Sequence, residues 1–295
     1  MLRLLFALIT PAVLCAQYTY REPVVFGRGH SDEKLASKIW IMEADGSNLK
    51  QLTSGTTYDD HPSLYSDRRH VLYSEFPVNA LDREKGAKLI KLDIYTGRRE
   101  IVAEAPGCAL HHAALSPIND LLAYHRDCGK HWTEWVGWGP GSYEVNTIAS
   151  NGVALPDGII FMHERFRGIP GARRVSIARM YGHGPGSKMV FLTGDRYLHR
   201  RPAISPDGKL LAWQTNAAGT EDEIFLANID GSGARNLTDT PGNDGHPWFS
   251  RDGRTIVFES DRTGIWEIWK IDPRTRKSTQ LTSGGRKYQS TRPRM

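Results

Sequence analysis

The stretch 290-STRPRM-295 decides the fold. It opens as two earlier stretches open, 200-RRPAISPDGKLLAW-213 and 245-GHPWFSRDGRTIVF-258, but carries only their first few residues. Each of the longer stretches reads as a short strand, a polar turn at Asp-Gly and a second strand with apolar alternation. Two further copies stand upstream, 61-HPSLYSDRRHVLYSEF-76 and 111-HHAALSPINDLLAYHRD-127. A second pattern accompanies the first: 38-KIWIMEADGSNLKQLTSG-55, 223-EIFLANIDGSGARNLTDT-240 and 267-EIWKIDPRTRKSTQLTSG-284, with weaker versions at 88–105 and 143–155. Here two strands flank Asp45-Gly46, Asp230-Gly231 or Asn151-Gly152, pairs that accept the positive φ angles of tight hairpins.

One polar residue, the anchor, stands ahead of the first turn in each copy: His61, His112, Arg201, His246 and Arg292. The anchors are 51, 89, 45 and 46 residues apart, so the long gap holds one additional unit. Four short strands recurring at this period are the signature of a β-propeller. Five anchors and one blurred unit predict an all-β fold of six blades. The segment from Pro23 to Gly55 lacks an opening strand, and residues 290–295 are an opening strand with nothing after it. Together they are expected to complete one blade from both ends, so that neither terminal sheet edge stays unpaired. Between Cys128 and His199 the strand-like runs are present but their register is not legible.

The first 16 residues, 1-MLRLLFALITPAVLCA-16, place one Arg before an apolar run that is too short to span a bilayer. They read as a secretory signal, with a buried N-terminal strand as the other reading. Export leaves 17–295 as a single propeller domain, periplasmic or secreted, monomeric and without a transmembrane helix. Cys15 raises the question of a lipid anchor, for which Leu14 before it is a poor fit. Cys108 and Cys128 flank a hairpin that turns near Pro117 to Asn119, so they face each other across its open end. An oxidising compartment predicts a disulfide there, and a reducing one leaves two thiols. A net charge of +5 over 295 residues is mild, and no nucleic-acid partner is expected.

A propeller brings its anchors around the central axis near one mouth of the channel. His61, His112, Arg201, His246 and Arg292 are therefore the candidate channel-mouth binding residues. Two Arg and several His there would attract a carboxylate or an acidic glycan. The imidazoles of His61, His112 and His246 are candidate ligands for a divalent metal, although the two arginines oppose a cation. The plain alternative is that each anchor starts an inner strand and bonds a neighbouring blade or channel water, with no cofactor. The stretch 131-HWTEWVGWGPGSYE-144 offers Trp132, Trp135 and Trp138 either as an aromatic surface for a sugar or partner, or as packing between blades. Arg165, Arg167, Arg173 and Arg174 read as a solvated loop. Asp157, Asp207 and Asp252 read as turn-shaping residues rather than calcium ligands.

The pieces 205-SPDGKLLAW-213, 250-SRDGRTIVFESDR-262 and 44-ADGSNLKQLTSG-55 resemble the TolB-type propeller repeat, which also builds the propellers of dipeptidyl-peptidase-like enzymes. The resemblance covers residues 23–105 and 197–295, about two thirds of the expected mature chain, and implies the fold more than a function. TolB carries an additional α/β domain and the peptidases a hydrolase domain. Neither is expected here, and no G-x-S-x-G elbow is present. More faintly, 111-HHAALSPINDLLAYHRDCGKHW-132 with 143-YEVNTIASNG-152 is similar to the His-bearing blade of oligogalacturonate lyases, which are seven-bladed. That similarity implies a possible metal role for His112, His125 and His131. Two functions follow: a non-catalytic envelope propeller that binds a protein or glycan, or a metal-dependent lyase acting on uronate oligosaccharides, for which Arg201 is the first candidate base.

Overall fold

The computed structural model describes residues 18–31, 37–77, 86–129, 132–145, 147, 149–165, 174–182, 184, 186–285 and 287–295. Within them, six antiparallel sheets of four strands each are formed. The first strands of the sheets are Tyr58–Leu64, Ala109–Leu115, Ala149–Leu155, His199–Ile204, Asp244–Phe249 and Tyr288–Arg294. Each touches the first strand of the next sheet, and Tyr288–Arg294 touches Tyr58–Leu64, so the six close around one axis. This is the six-bladed all-β propeller that the repeat predicts.

Closure occurs where the sequence places it. Tyr288–Arg294 pairs antiparallel with Pro23–His30, with Val25 opposite Arg294, Gly27 opposite Thr291 and His30 opposite Tyr288. Pro23–His30 continues through Lys38–Glu43 to Lys50–Gln51, giving a blade of one strand from the C-terminal side and three from the N-terminal side.

Every first strand carries the same irregularity. Its register against the second strand shifts between Asp60 and Ser63, His111 and Ala114, Ser150 and Val153, Arg200 and Ala203, and Gly245 and Trp248, and again where Arg292 and Pro293 pass Phe26. Two residues of the first strand thus face one of the second, which is a β-bulge. The single residue opposite is always aromatic and buried: Tyr73, Tyr124, Phe161, Trp213, Phe258 and Phe26. The first residue of each bulge is left-handed: His61, His112, Asn151, Arg201, His246 and Arg292 have φ between 46° and 55°.

The register corrects one reading. Asn151-Gly152 is not a hairpin turn. It is the bulge of the strand Ala149–Leu155, and Asn151 is the anchor of the blurred blade. A hairpin turn and a left-handed bulge make the same conformational demand, which Asn meets in both settings. The remaining strands of that blade are Gly158–Arg165, Arg174–Tyr181 and Lys188–Phe191.

Two devices lock neighbouring strands and blades. The threonine of each L-T pair accepts the backbone N–H of an isoleucine on the third strand: Thr53 from Ile39, Thr193 from Ile177, Thr238 from Ile224 and Thr282 from Ile268, all at 2.8 to 3.0 Å. The turn glycines Gly46 and Gly231 press against the residue that follows the outer strand of the adjoining blade. A Cβ there would lie 2.8 Å from the Leu281 carbonyl and 2.5 Å from the Leu192 carbonyl.

Glu223, at the start of its third strand, is buried and accepts the Thr238 hydroxyl at 2.5 Å. Burial, aided by the nearby Asp244 and Asp239, pushes its carboxyl up to about 7. The fold therefore prefers the protonated form, whose unfolded pKa is about 4.3. This contribution is fully present below the unfolded pKa and is lost as pH rises toward 7. Glu223→Gln is expected to melt several degrees above the wild type at pH 8 and level with it near pH 4, measured by circular dichroism. A gap that does not change with pH would contradict the assignment.

Candidate functional site

The bulges aim the anchors. A left-handed residue in a bulge breaks the in-out alternation of the strand and costs about 1–2 kcal/mol outside glycine. None of the six anchors is glycine, and five are His or Arg. Polar side chains are therefore kept where backbone strain alone would favour glycine, a pattern associated with functional sites.

The structure brings the five predicted anchors into one electrostatic group, with acids that the sequence reading did not include. Arg292 donates to both oxygens of Asp60 at 2.6 Å. Asp60 is buried, accepts the Tyr58 hydroxyl at 3.0 Å and lies 3.1 Å from His61 Nδ1. Burial would push the Asp60 carboxyl up, but Arg292 and His61 outweigh it and hold it far below the usual range. Across the mouth, Glu259 Oε1 meets His246 Nδ1 at 2.5 Å and Glu259 Oε2 accepts the Arg292 N–H at 2.7 Å. Burial likewise acts against the Glu259 carboxylate, yet His246, Arg292 and Arg201 hold it at about 2. The Arg201 guanidinium meets His246 Nε2. Among the described residues it has no carboxylate within salt-bridge distance. Burial lowers it to about 10, so it stays charged at neutral pH. A further arginine, Arg294, packs 4.3 Å over the Trp248 ring, and burial together with Arg201 lowers it to about 9.

Arg201, Arg292 and Arg294 thus act on one another and on Asp60 and Glu259. The histidines add no charge near pH 7. Burial pushes His61 down to about 4, and holds His112 and His246 well below their ordinary value. Positive charge remains in excess. It faces a cavity of about 370 Å³ lined by Tyr58, Arg201, His246, Glu259, Trp266 and Arg292.

The three histidines predicted as a metal set occupy two neighbourhoods. His246 is held by Arg201 and Glu259, as above. His61 and His112 lie together, with ring centroids 3.9 Å apart. They are joined by His125, whose Nδ1 is 2.9 Å from His112 Nδ1, and by His111, whose ring is 4.6 Å from that of His112. Behind them Glu134 is fully buried: its Oε2 lies 2.8 Å from His125 Nε2 and its Oε1 accepts the Gly152 N–H at 2.8 Å. The Asn151 N–H also reaches His125 Nε2, at 2.8 Å.

His131 lies outside the described residues, as do residues 1–16, Arg167 and Arg173. The side chains of Trp132, Arg165 and Arg174 are likewise not described. Trp138 is exposed and stacks with Tyr65 at 6.2 Å, whereas Trp135 is part-buried, donates to Thr133 and lies beneath Arg126. Asp207 and Asp252 accept backbone N–H groups of their own turns, and Asp157 pairs with Arg179. Cys108 and Cys128 form a disulfide with their Cα atoms 4.2 Å apart.

The sequence reading missed Asp60, Glu259, His111, Asn151, Glu134 and Arg294. A signal existed for Glu259 and His125. Each follows the bulge aromatic of its second strand, thirteen residues beyond the anchors His246 and His112.

Residues 188–294 match the TolB beta propeller domain. The fold is that of a TolB-type β-propeller. It superposes on TolB from Acinetobacter baumannii with a TM-score of 0.73 at 18% identity, over 92% of this chain and 66% of that one. A putative TolB from Agrobacterium tumefaciens gives a TM-score of 0.61 at 14% identity, covering 88% of each chain. Dipeptidyl-peptidase 5 of Porphyromonas gingivalis is 37% identical over 73 residues, 22% of this chain and 10% of that protein. The propeller therefore spans a small part of the peptidase and just under two thirds of the Acinetobacter TolB. Among the described residues no helix is long and apolar enough to cross a membrane.

Proposed function

We propose that this propeller is an exported, non-catalytic binding protein of the cell envelope, and that its channel mouth holds a carboxylate-bearing segment of a protein partner. The observation that carries the reading is Arg201. Its half-buried, charged guanidinium borders an open cavity and is met by a histidine ring rather than by a carboxylate in salt-bridge contact. A partly buried cation with no carboxylate in direct contact is incompletely compensated, and an incoming carboxylate supplies that contact. Arg292 differs, because Asp60 already occupies it. The likeness to TolB propellers supports a protein partner and an envelope location.

A glutamate-rich peptide with a free C-terminal carboxylate, read by fluorescence anisotropy, tests this directly. Arg201→Gln is expected to weaken binding about 10- to 100-fold, the loss of one charge-assisted hydrogen bond of roughly 1.5–3 kcal/mol. The glutamine counterpart of the peptide should bind no better to wild type than the acidic peptide binds to the variant. Tight binding of oligogalacturonate with no response to the peptide would replace the protein partner with an acidic glycan. Unsaturated product formed from that sugar with manganese, and lost in His112→Ala, would replace binding with lyase chemistry.

A further inference from the structure

We propose that the propeller channel binds one divalent transition-metal ion through His111, His112 and His125, beside the arginine-lined mouth. One nitrogen from each of the three lies within 4.8 Å of the others. All three sit on two paired strands, Ala109–Leu115 and Leu122–Asp127, whose outer ends the Cys108–Cys128 disulfide ties together. The donors are therefore carried on a rigid support, which a metal site requires.

The arrangement behind the ligands is that of an outer shell. Glu134 Oε2 lies 2.8 Å from His125 Nε2, and the Asn151 N–H reaches the same nitrogen at 2.8 Å, so the far edge of the ring is held in place from two sides. The ring so held places His125 Nδ1 2.9 Å from His112 Nδ1. A carboxylate that fixes the far nitrogen of an imidazole is the usual outer partner of a ligating histidine. Glu134 is itself held by the Gly152 N–H, and a Cβ at Gly152 would come within 2.4 Å of it. The bulge glycine beside the Asn151 anchor thus makes room for this carboxylate.

His61 supplies an independent observation. Its side chain is more than nine-tenths buried, its ring is 3.9 Å from that of His112, and its Nε2 has no hydrogen-bond partner among the described residues. A buried orphan nitrogen is rare in a native fold and marks an absent partner. His61 flanks the three-histidine set on the His112 side. Neutral imidazoles select zinc, cobalt, nickel or copper over calcium or magnesium, which take oxygen ligands. Arg201 acts on His112 and opposes a cation, while Glu134 and Asp60 supply offsetting negative charge.

The test is titration of untagged, chelator-treated full chain with zinc and with cobalt, followed by calorimetry and visible absorption. One ion per chain is expected, with cobalt bands of an imidazole-rich site. His112→Gln and His125→Gln should each lose at least 100-fold in affinity. Glu134→Gln, which keeps every ligand, should lose about 10- to 100-fold. The surface variant His70→Gln should bind as wild type does. X-ray absorption of the zinc-loaded wild type needs no variant and should count three or four imidazole nitrogens. Folded wild type that takes up no ion, an all-oxygen shell, or binding unchanged in His112→Gln and His125→Gln would overturn the proposal.

Discussion

Removal of residues 288–295 is expected to lower the thermal midpoint by more than about 10 °C, or to prevent folding outright. The strand Tyr288–Arg294 is the innermost of its blade, and its loss is felt on both sides of the closure. On one side the backbone of Val25 and of Gly27 to His30 loses its ladder partners. Buried backbone groups left unpaired cost about 1–3 kcal/mol each. Phe26, fully buried opposite the Arg292 bulge, is uncovered. On the other side Asp60 loses the Arg292 Nη1 that bonds both its oxygens and Glu259 loses the Arg292 N–H. Stripping the partner from one buried charge alone costs about 3–5 kcal/mol. A conservative sum exceeds about 5 kcal/mol, and each kcal/mol shifts the midpoint of a domain this large by about 2–4 °C. The strand also contacts the sheets on either side, so the opened ring should lose cooperativity as well as stability. Circular dichroism melts of the shortened and full chains read both. An unchanged midpoint would mean that the closure contributes nothing to the ring.

The ring was legible because the repeat has strict positional demands. A polar anchor followed by Pro or Ala, an Asp-Gly turn and the L-T outer strand recur where the same contacts recur. The count of six needed no structure. The register of the blurred blade was hidden for a physical reason: Asn151-Gly152 satisfies a left-handed bulge with the same residues that satisfy a tight turn. The better marker was the aromatic that fills each bulge. The runs 71-VLY-73, 122-LAY-124, 159-IIF-161, 211-LAW-213, 256-IVF-258 and 24-VVF-26 place it in all six blades. The site was half legible. Anchors converge because topology requires it, and so the arginines and histidines were named in advance. Their acid partners were not. Asp60 precedes its anchor and Glu259 follows a bulge aromatic, and a bulge interrupts the simple alternation by which a strand residue is assigned to a face. The split of His246 from His61 and His112 follows from the same cause. Which anchor meets which is decided by the second-strand neighbour, Glu259 in one blade and His125 in another.

Arg292→Met is expected to destabilise the propeller by about 3–5 kcal/mol near neutral pH, the cost of leaving a buried carboxylate without its cation. The methionine keeps much of the side-chain volume, so the effect reads charge rather than packing. Asp60 has a side-chain exposure of 3%, and both its oxygens accept from the same guanidinium at 2.6 Å. Tyr58 and His61 remain, but neither carries the charge of Arg292. The pH dependence identifies the mechanism. In the wild type the Asp60 carboxyl is held far below its unfolded value by Arg292 and His61, against the effect of burial. The resulting stabilisation is fully present above about pH 4, the unfolded value, and is lost as pH falls toward the folded one. The variant lacks that term, so the gap between the two proteins should be widest near neutrality and narrow below about pH 4. Pairing the change with Asp60→Asn removes the stranded charge and should restore most of the loss. Urea unfolding of the wild type, both single variants and the double variant at two pH values measures the coupling directly. Additive losses in that cycle, or a gap independent of pH, would show that Arg292 acts through packing in the bulge and not through its pair with Asp60.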